Sequence, residues 1–106
     1  MGADTFSTYI IVTGSLKEAF DEAVKRALYD YGHAGYTGTL AEKDSFVLIG
    51  KAESQTEAGA LARKLINEGD PRIDDKWGPA GIITFPSRLL DGTEVTKALI
   101  FGWASS

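Results

Sequence analysis

The stretch Tyr31-Gly32-His33-Ala34-Gly35-Tyr36-Thr37-Gly38-Thr39 brings together three glycines, two tyrosines, two threonines and the single histidine of the chain. Glycine admits positive φ and lets a backbone approach a ligand closely. Imidazole changes charge near neutral pH, and with the hydroxyls around it could hydrogen-bond a ligand or pass a proton. His33, Tyr36, Thr37 and Thr39 are therefore the candidate ligand-binding set. The same residues also read as a helix C-cap followed by a bulged entry into a strand, with His33 at the negative end of the helix dipole. A phosphate cradle fails on position, because the glycines follow a helix C-terminus whereas phosphate sites use N-terminal amides. Their spacing also matches neither a Walker loop nor a dinucleotide fingerprint.

Other chemistries find weaker footing. Asp70, Asp74 and Asp75 lie close together, but Asp-Pro-Arg-Ile-Asp-Asp lacks the alternating oxygen ligands and closing glutamate of a calcium loop, so a solvated acidic loop is expected there. With no cysteine, thiolate metal sites, disulfides and cysteine nucleophiles are excluded. There is no Gly-x-Ser-x-Gly elbow, and any triad would have to recruit His33 from among unpatterned residues. Glu42 with Asp44 or Glu53 could pair carboxylates, yet residues beside a turn usually serve solubility. No catalytic residue, metal or cofactor is assigned, and the balance of these patterns is against an enzyme.

Capping signals mark two helices that would frame these residues. Ser15 and Glu18 form a capping box, and Leu16, Ala19, Phe20, Ala23, Val24, Ala27, Leu28 and Tyr31 then make one apolar stripe ended by Gly32. Asp21 with Lys25 and Glu22 with Arg26 stand at ion-pair spacing on its solvated side. A second box, Ser54 and Glu57, opens a helix striped by Ala58, Leu61, Ala62, Leu65 and Ile66 and ended by Gly69.

Around them, strands are expected at Phe6–Thr13, Thr39–Glu42, Phe46–Ala52, Ala80–Phe85 and Thr96–Trp103, the second and third joined as a hairpin through Lys43-Asp44-Ser45. The first strand looks apolar on both faces, Ile10 and Val12 on one and Tyr9 and Ile11 on the other, which is the composition of a central strand. The expectation is an α+β fold: a ferredoxin-like βαββαβ with an extra C-terminal strand, its two helices on one face of a mostly antiparallel sheet. Apolar residues on the opposite face, drawn from Tyr9, Ile11, Leu99, Phe101 and Trp103, would then need cover, and a second subunit or a partner protein is the simplest cover.

The 106 residues suit one domain, and 43% hydrophobic with 25% charged residues is an ordinary globular balance. A net charge of −4 lacks the basic footprint of nucleic-acid binding. No apolar run reaches the roughly 18 residues of a membrane span, and the start of the chain has neither the basic region nor the apolar core of a signal peptide.

From Tyr31 through Thr39 and on through Leu40-Ala41-Glu42-Lys43-Asp44, the sequence resembles a segment of small accessory proteins of actinobacterial phages and prophages. The resemblance implies a non-structural protein of the bacterial cytoplasm that binds a host factor or blocks a defence system, and it carries no catalytic residue with it. The leading expectation is thus a protein-interaction module, homodimeric through its sheet face, that binds or inhibits a host protein. The alternative is a nucleotide or metabolite binder, or a ligand-processing enzyme, with its site at His33–Thr39.

Overall fold

The computed structural model describes residues 3–31 and 39–105. Strand β1 spans Ala3–Val12, helix α1 Leu16–Tyr31, strand β2 Phe46–Lys51, helix α2 Gln55–Glu68, strand β3 Ala80–Arg88 and strand β4 Glu94–Ser105, with a single 3₁₀ turn at Leu40–Glu42. Both helix starts form where the capping residues place them. Ser15 Oγ accepts the Glu18 amide at 3.1 Å, and Ser54 Oγ accepts that of Glu57 at 3.2 Å. The end of α2 is a Schellman turn: Gly69 takes the left-handed conformation (φ 67°, ψ 43°), its N–H reaches the Ile66 carbonyl, and Asp70 N–H reaches that of Leu65.

The four strands lie in the order β1-β4-β3-β2. β4 runs antiparallel to both neighbours, and β2 pairs with β3 in parallel, with α2 as the crossover. The sheet is covered on both faces. Ile83, Phe85, Leu99 and Phe101 pack against Ala58, Ala62 and Leu65 of α2. The intervening residues Ala80, Ile82, Ala98 and Ile100 pack against Phe20, Ala23 and Ala27 of α1. Alternation along β3 and β4 thus feeds two separate apolar layers, which is why these two strands are the most buried.

The α+β class and a mostly antiparallel sheet match the sequence-based expectation, whereas the sheet has four strands instead of five and the detailed arrangement differs. The helices sit on opposite faces rather than one, because β2 and β3 are neighbours in parallel and their crossover must lie across the face that α1 leaves open. The expected strand at Thr39–Glu42 is a 3₁₀ turn: Thr39 Oγ1 accepts the Ala41 amide, and Leu40 is driven into the α1 layer at 2% exposure. Without that strand no hairpin precedes β2, and the element order is βαβαββ. The first strand, expected in the middle, lies at an edge, and so does β2. The central positions go to the β3–β4 hairpin, whose turn closes through Leu89 N–H to Thr93 O and a left-handed Gly92 (φ 89°). Pro86 falls beyond Lys51, the last residue of β2 paired with β3, where a missing N–H disturbs no ladder on that side.

The 70–79 connection is held by its own polar groups. Asp70 accepts the amide and the guanidinium of Arg72 at 2.9 to 3.0 Å, the Asp75 carboxylate accepts the Trp77 amide, and Ile73 is buried against the α2 layer. Asp74 and Asp75 are exposed, as expected of a solvated acidic loop.

Candidate interaction site

β1 is covered on one face only. Its even-numbered residues Phe6, Ile10 and Val12 are half-buried against the α1 layer. Its odd-numbered residues point to the α2 side, but α2 packs chiefly on β3 and β4. Tyr9 and Ile11 consequently remain 43% and 38% exposed. Between β1 and α2 runs an open groove of about 220 Å³. The side chains of Thr5, Ser7 and Tyr9 form one bank and Arg63 and Ile66 the other, while Leu99 and Phe101 form the floor.

Gly59 sets the width of this groove. It sits one helical turn before Arg63, and a Cβ there would lie 3.5 Å from both Arg63 Nη1 and the Tyr9 hydroxyl. The bare helix backbone thus lets a phenol and a guanidinium both approach one residue. The Tyr9 ring is fixed from below by an edge-on contact with Phe85, with centroids 5.9 Å apart and planes at 84°. Arg63 is exposed and takes part in no ion pair or hydrogen bond among the described residues. The groove therefore offers an apolar floor, three hydroxyls and one uncommitted cation, a set suited to an acidic or amphipathic segment.

Of the residues singled out in the sequence as an interface, the structure brings Tyr9, Leu99 and Phe101 together here, but in different roles. Leu99 and Phe101, expected on an uncovered face, are 1% and 0% exposed, because α2 occupies that face. They can form the base of a site and cannot be its contact surface. Ile11 is exposed further along β1. Trp103 is half-buried at the rim of the α2 layer, paired across the sheet with Thr5, and its indole N–H is buried without an acceptor among the described residues. Trp77, the other tryptophan, lies out on the 70–79 loop, 62% exposed, with Lys76 Nζ 5.5 Å from its ring centroid.

His33, Tyr36 and Thr37 lie outside the described residues. Thr39, the fourth of that candidate set, directs its hydroxyl oxygen to the start of the 3₁₀ turn. Arg63, Gly59 and the groove they make were not legible as a site, since a lone glycine and an arginine on a solvated helix face carry no motif. Lys43, expected in a solvated turn, is buried instead: its ammonium donates to the carbonyls of Asp75, Lys76 and Gly78 at 3.4, 3.1 and 2.8 Å. Burial pulls its pKa down, against the opposing fields of Asp75 and Asp44.

Among the described residues no group of three or more His, Cys, Asp or Glu side chains is placed to share a metal ion, and no helix is long and apolar enough to cross a membrane. Comparison with protein-family models, with curated proteins and with solved structures found no match to this chain.

Proposed function

We propose that this protein is an interaction module that binds another protein in the groove between β1 and α2, in the manner of the phage accessory proteins that its 31–44 segment resembles. The observation that carries the reading is the uncommitted Arg63 guanidinium facing the Tyr9 hydroxyl across Gly59, above an apolar floor. An aromatic ring and an arginine side by side, both open to a partner, are the usual composition of an energetic centre in protein recognition. The fitting partner is a host protein of the bacterial cytoplasm that presents a carboxylate next to an apolar side chain, and the module acts by occupying that surface rather than by catalysis.

The test is affinity capture from an actinobacterial lysate with the full chain and with Arg63→Glu, followed by reconstitution with the purified captured protein. The expected outcome is a partner that binds the parent in solution and is lost on charge reversal, while circular dichroism shows both chains equally folded. A partner held equally by parent and variant would remove the groove from the function.

A further inference from the structure

β1 has the composition of a central strand and the position of an edge strand. All ten of its residues pair with β4 in unbroken register from Ala3 to Val12, and it contains no proline, no lysine and no bulge. Natural edges are normally blunted by such devices. The opposite edge is blunted: β2 has six residues, a register shift between Leu48 and Gly50, and a glycine near its end. One edge of this sheet is therefore protected and the other is left open.

The helix beside the open edge carries a matching pattern. Glu22, Arg26 and Asp30 stand four residues apart on one line of α1, and they border the clefts beside Thr8, Tyr9, Ile10 and Ile11 of β1. None of the three takes part in an ion pair among the described residues; the one ion pair within α1 joins Lys17 to Asp21 at 2.8 Å. Turned about a two-fold axis that passes between Arg26 and Asp30, this line sets unlike charges against each other, whereas an axis at Arg26 would oppose like charges.

We infer that two copies of this chain pair antiparallel through β1, about a two-fold axis at Thr8, to form a continuous eight-stranded sheet. An axis perpendicular to the sheet keeps each helix on its own face, so α1 meets the second copy of α1 and the two α2 helices share the opposite side. Centring on Thr8 pairs Asp4 through Val12 of one strand with Val12 through Asp4 of the other. It sets Phe6 opposite Ile10 of the second copy on the α1 face, an aromatic against a β-branched residue, and Tyr9 opposite Ser7 on the other face. From Arg26 to Asp30 the helix rises about 6 Å, nearly the span of two strand residues at about 3.4 Å each. Arg26 and Asp30 both border the cleft at Thr8, so an axis there passes between them and brings Arg26 of each copy to Asp30 of the other. The helix charge pattern is thus matched by the strand register centred on Thr8.

The dimer has a structural consequence on the α2 face. The exposed residues Thr5, Ser7, Tyr9 and Ile11 of both strands become the floor of one trough walled by the two α2 helices, and the two grooves face each other across it. Self-association stands or falls independently of what occupies that trough.

The experiment uses the purified full chain alone. Sedimentation equilibrium should show a monomer–dimer equilibrium weakened roughly tenfold by Arg26→Asp, about 1.4 kcal/mol, and restored by the exchange Arg26→Asp with Asp30→Arg. Because the chain has no cysteine, Thr8→Cys gives an unambiguous reading: mild oxidation should link it to its own copy, and Leu48→Cys on the blunted edge should stay unlinked. A strictly monomeric chain overturns the inference. So does a dimer that ignores the charge reversal while Thr8→Cys fails to cross-link.

Discussion

The Lys43 ammonium lies 2.8 Å from the carbonyl oxygen of Gly78 and within 3.1 Å of that of Lys76, so one side chain ties the segment before β2 to the loop before β3. An ammonium has three protons and no acceptor, and the three carbonyls of Asp75, Lys76 and Gly78 take all three. This clamp aligns the starts of two parallel strands whose first pair is Phe46 with Ala80, and the Ala80 amide then reaches Ser45 O at 3.0 Å.

Replacing Lys43 by Met keeps most of the buried stem and removes the donors. Hydrogen bonds from a charged group are worth about 1.5–3 kcal/mol, and the loop carbonyls can partly recover water, so a loss of about 2 kcal/mol is expected. Urea denaturation of the parent and the variant measures it, and an unchanged midpoint would mean the clamp contributes nothing net.

Gly81 predicts the reverse kind of failure, too much volume instead of too little bonding. A Cβ at this position would stand 2.8 Å from Phe101 Cζ and 2.9 Å from Ile73 Cγ2, both from residues buried in the α2 layer. Since neither ring nor branched chain has room to retreat, Gly81→Ala should cost about 1–3 kcal/mol. Thermal unfolding of the variant checks this, and a melting temperature at or above that of the parent would show that the layer repacks freely.

Acid should loosen the two turns held by carboxylates. The Arg72 side chain and amide hold Asp70 below the ordinary carboxylate range, and the Thr93 hydroxyl and amide do the same for Asp91. A folded-state pKa below the unfolded value means that the unfolded chain binds more protons in the window between them. Each group's contribution is therefore complete above the ordinary pKa and is lost as pH falls through the depressed one. Carboxyl chemical shifts followed through an acid titration should place both midpoints below those of an exposed reference aspartate, and Asp70→Asn should flatten the acid limb of the stability profile.

The elements that declared themselves in the sequence are those fixed by local chemistry. Ser15, Ser54 and Gly69 cap the helices as their types demand. What the sequence concealed is non-local. Leu40 looks like part of a strand until Thr39 turns the backbone, and Lys43 looks solvated until a loop more than thirty residues later wraps its carbonyls around it. The apolar alternation of β1 is legible, but it describes a strand with neighbours on both sides, whereas the fold gives it only β4. For the same reason Leu99 and Phe101 were read as surface: their apolar character is plain in the sequence, and the helix that covers them is chosen by strand order.

Gly59 joins stability to recognition in one testable substitution. Glycine within a helix is disfavoured relative to alanine by about 0.8–1 kcal/mol, and a methyl group here would meet Arg63 and Tyr9 at ordinary contact distance, 3.5 Å. Gly59→Ala should therefore raise stability by up to about 1 kcal/mol while filling the point where the two banks of the groove approach. If the groove is the binding surface, the variant will melt higher and bind its partner several-fold more weakly, with the loss greatest for partners that insert between Tyr9 and Arg63. Calorimetric binding set beside thermal unfolding separates the two effects. Higher stability with undiminished binding would mean that the partner contacts only the outer rim at Arg63, and lower stability would mean that the glycine is needed by the packing of α2 itself.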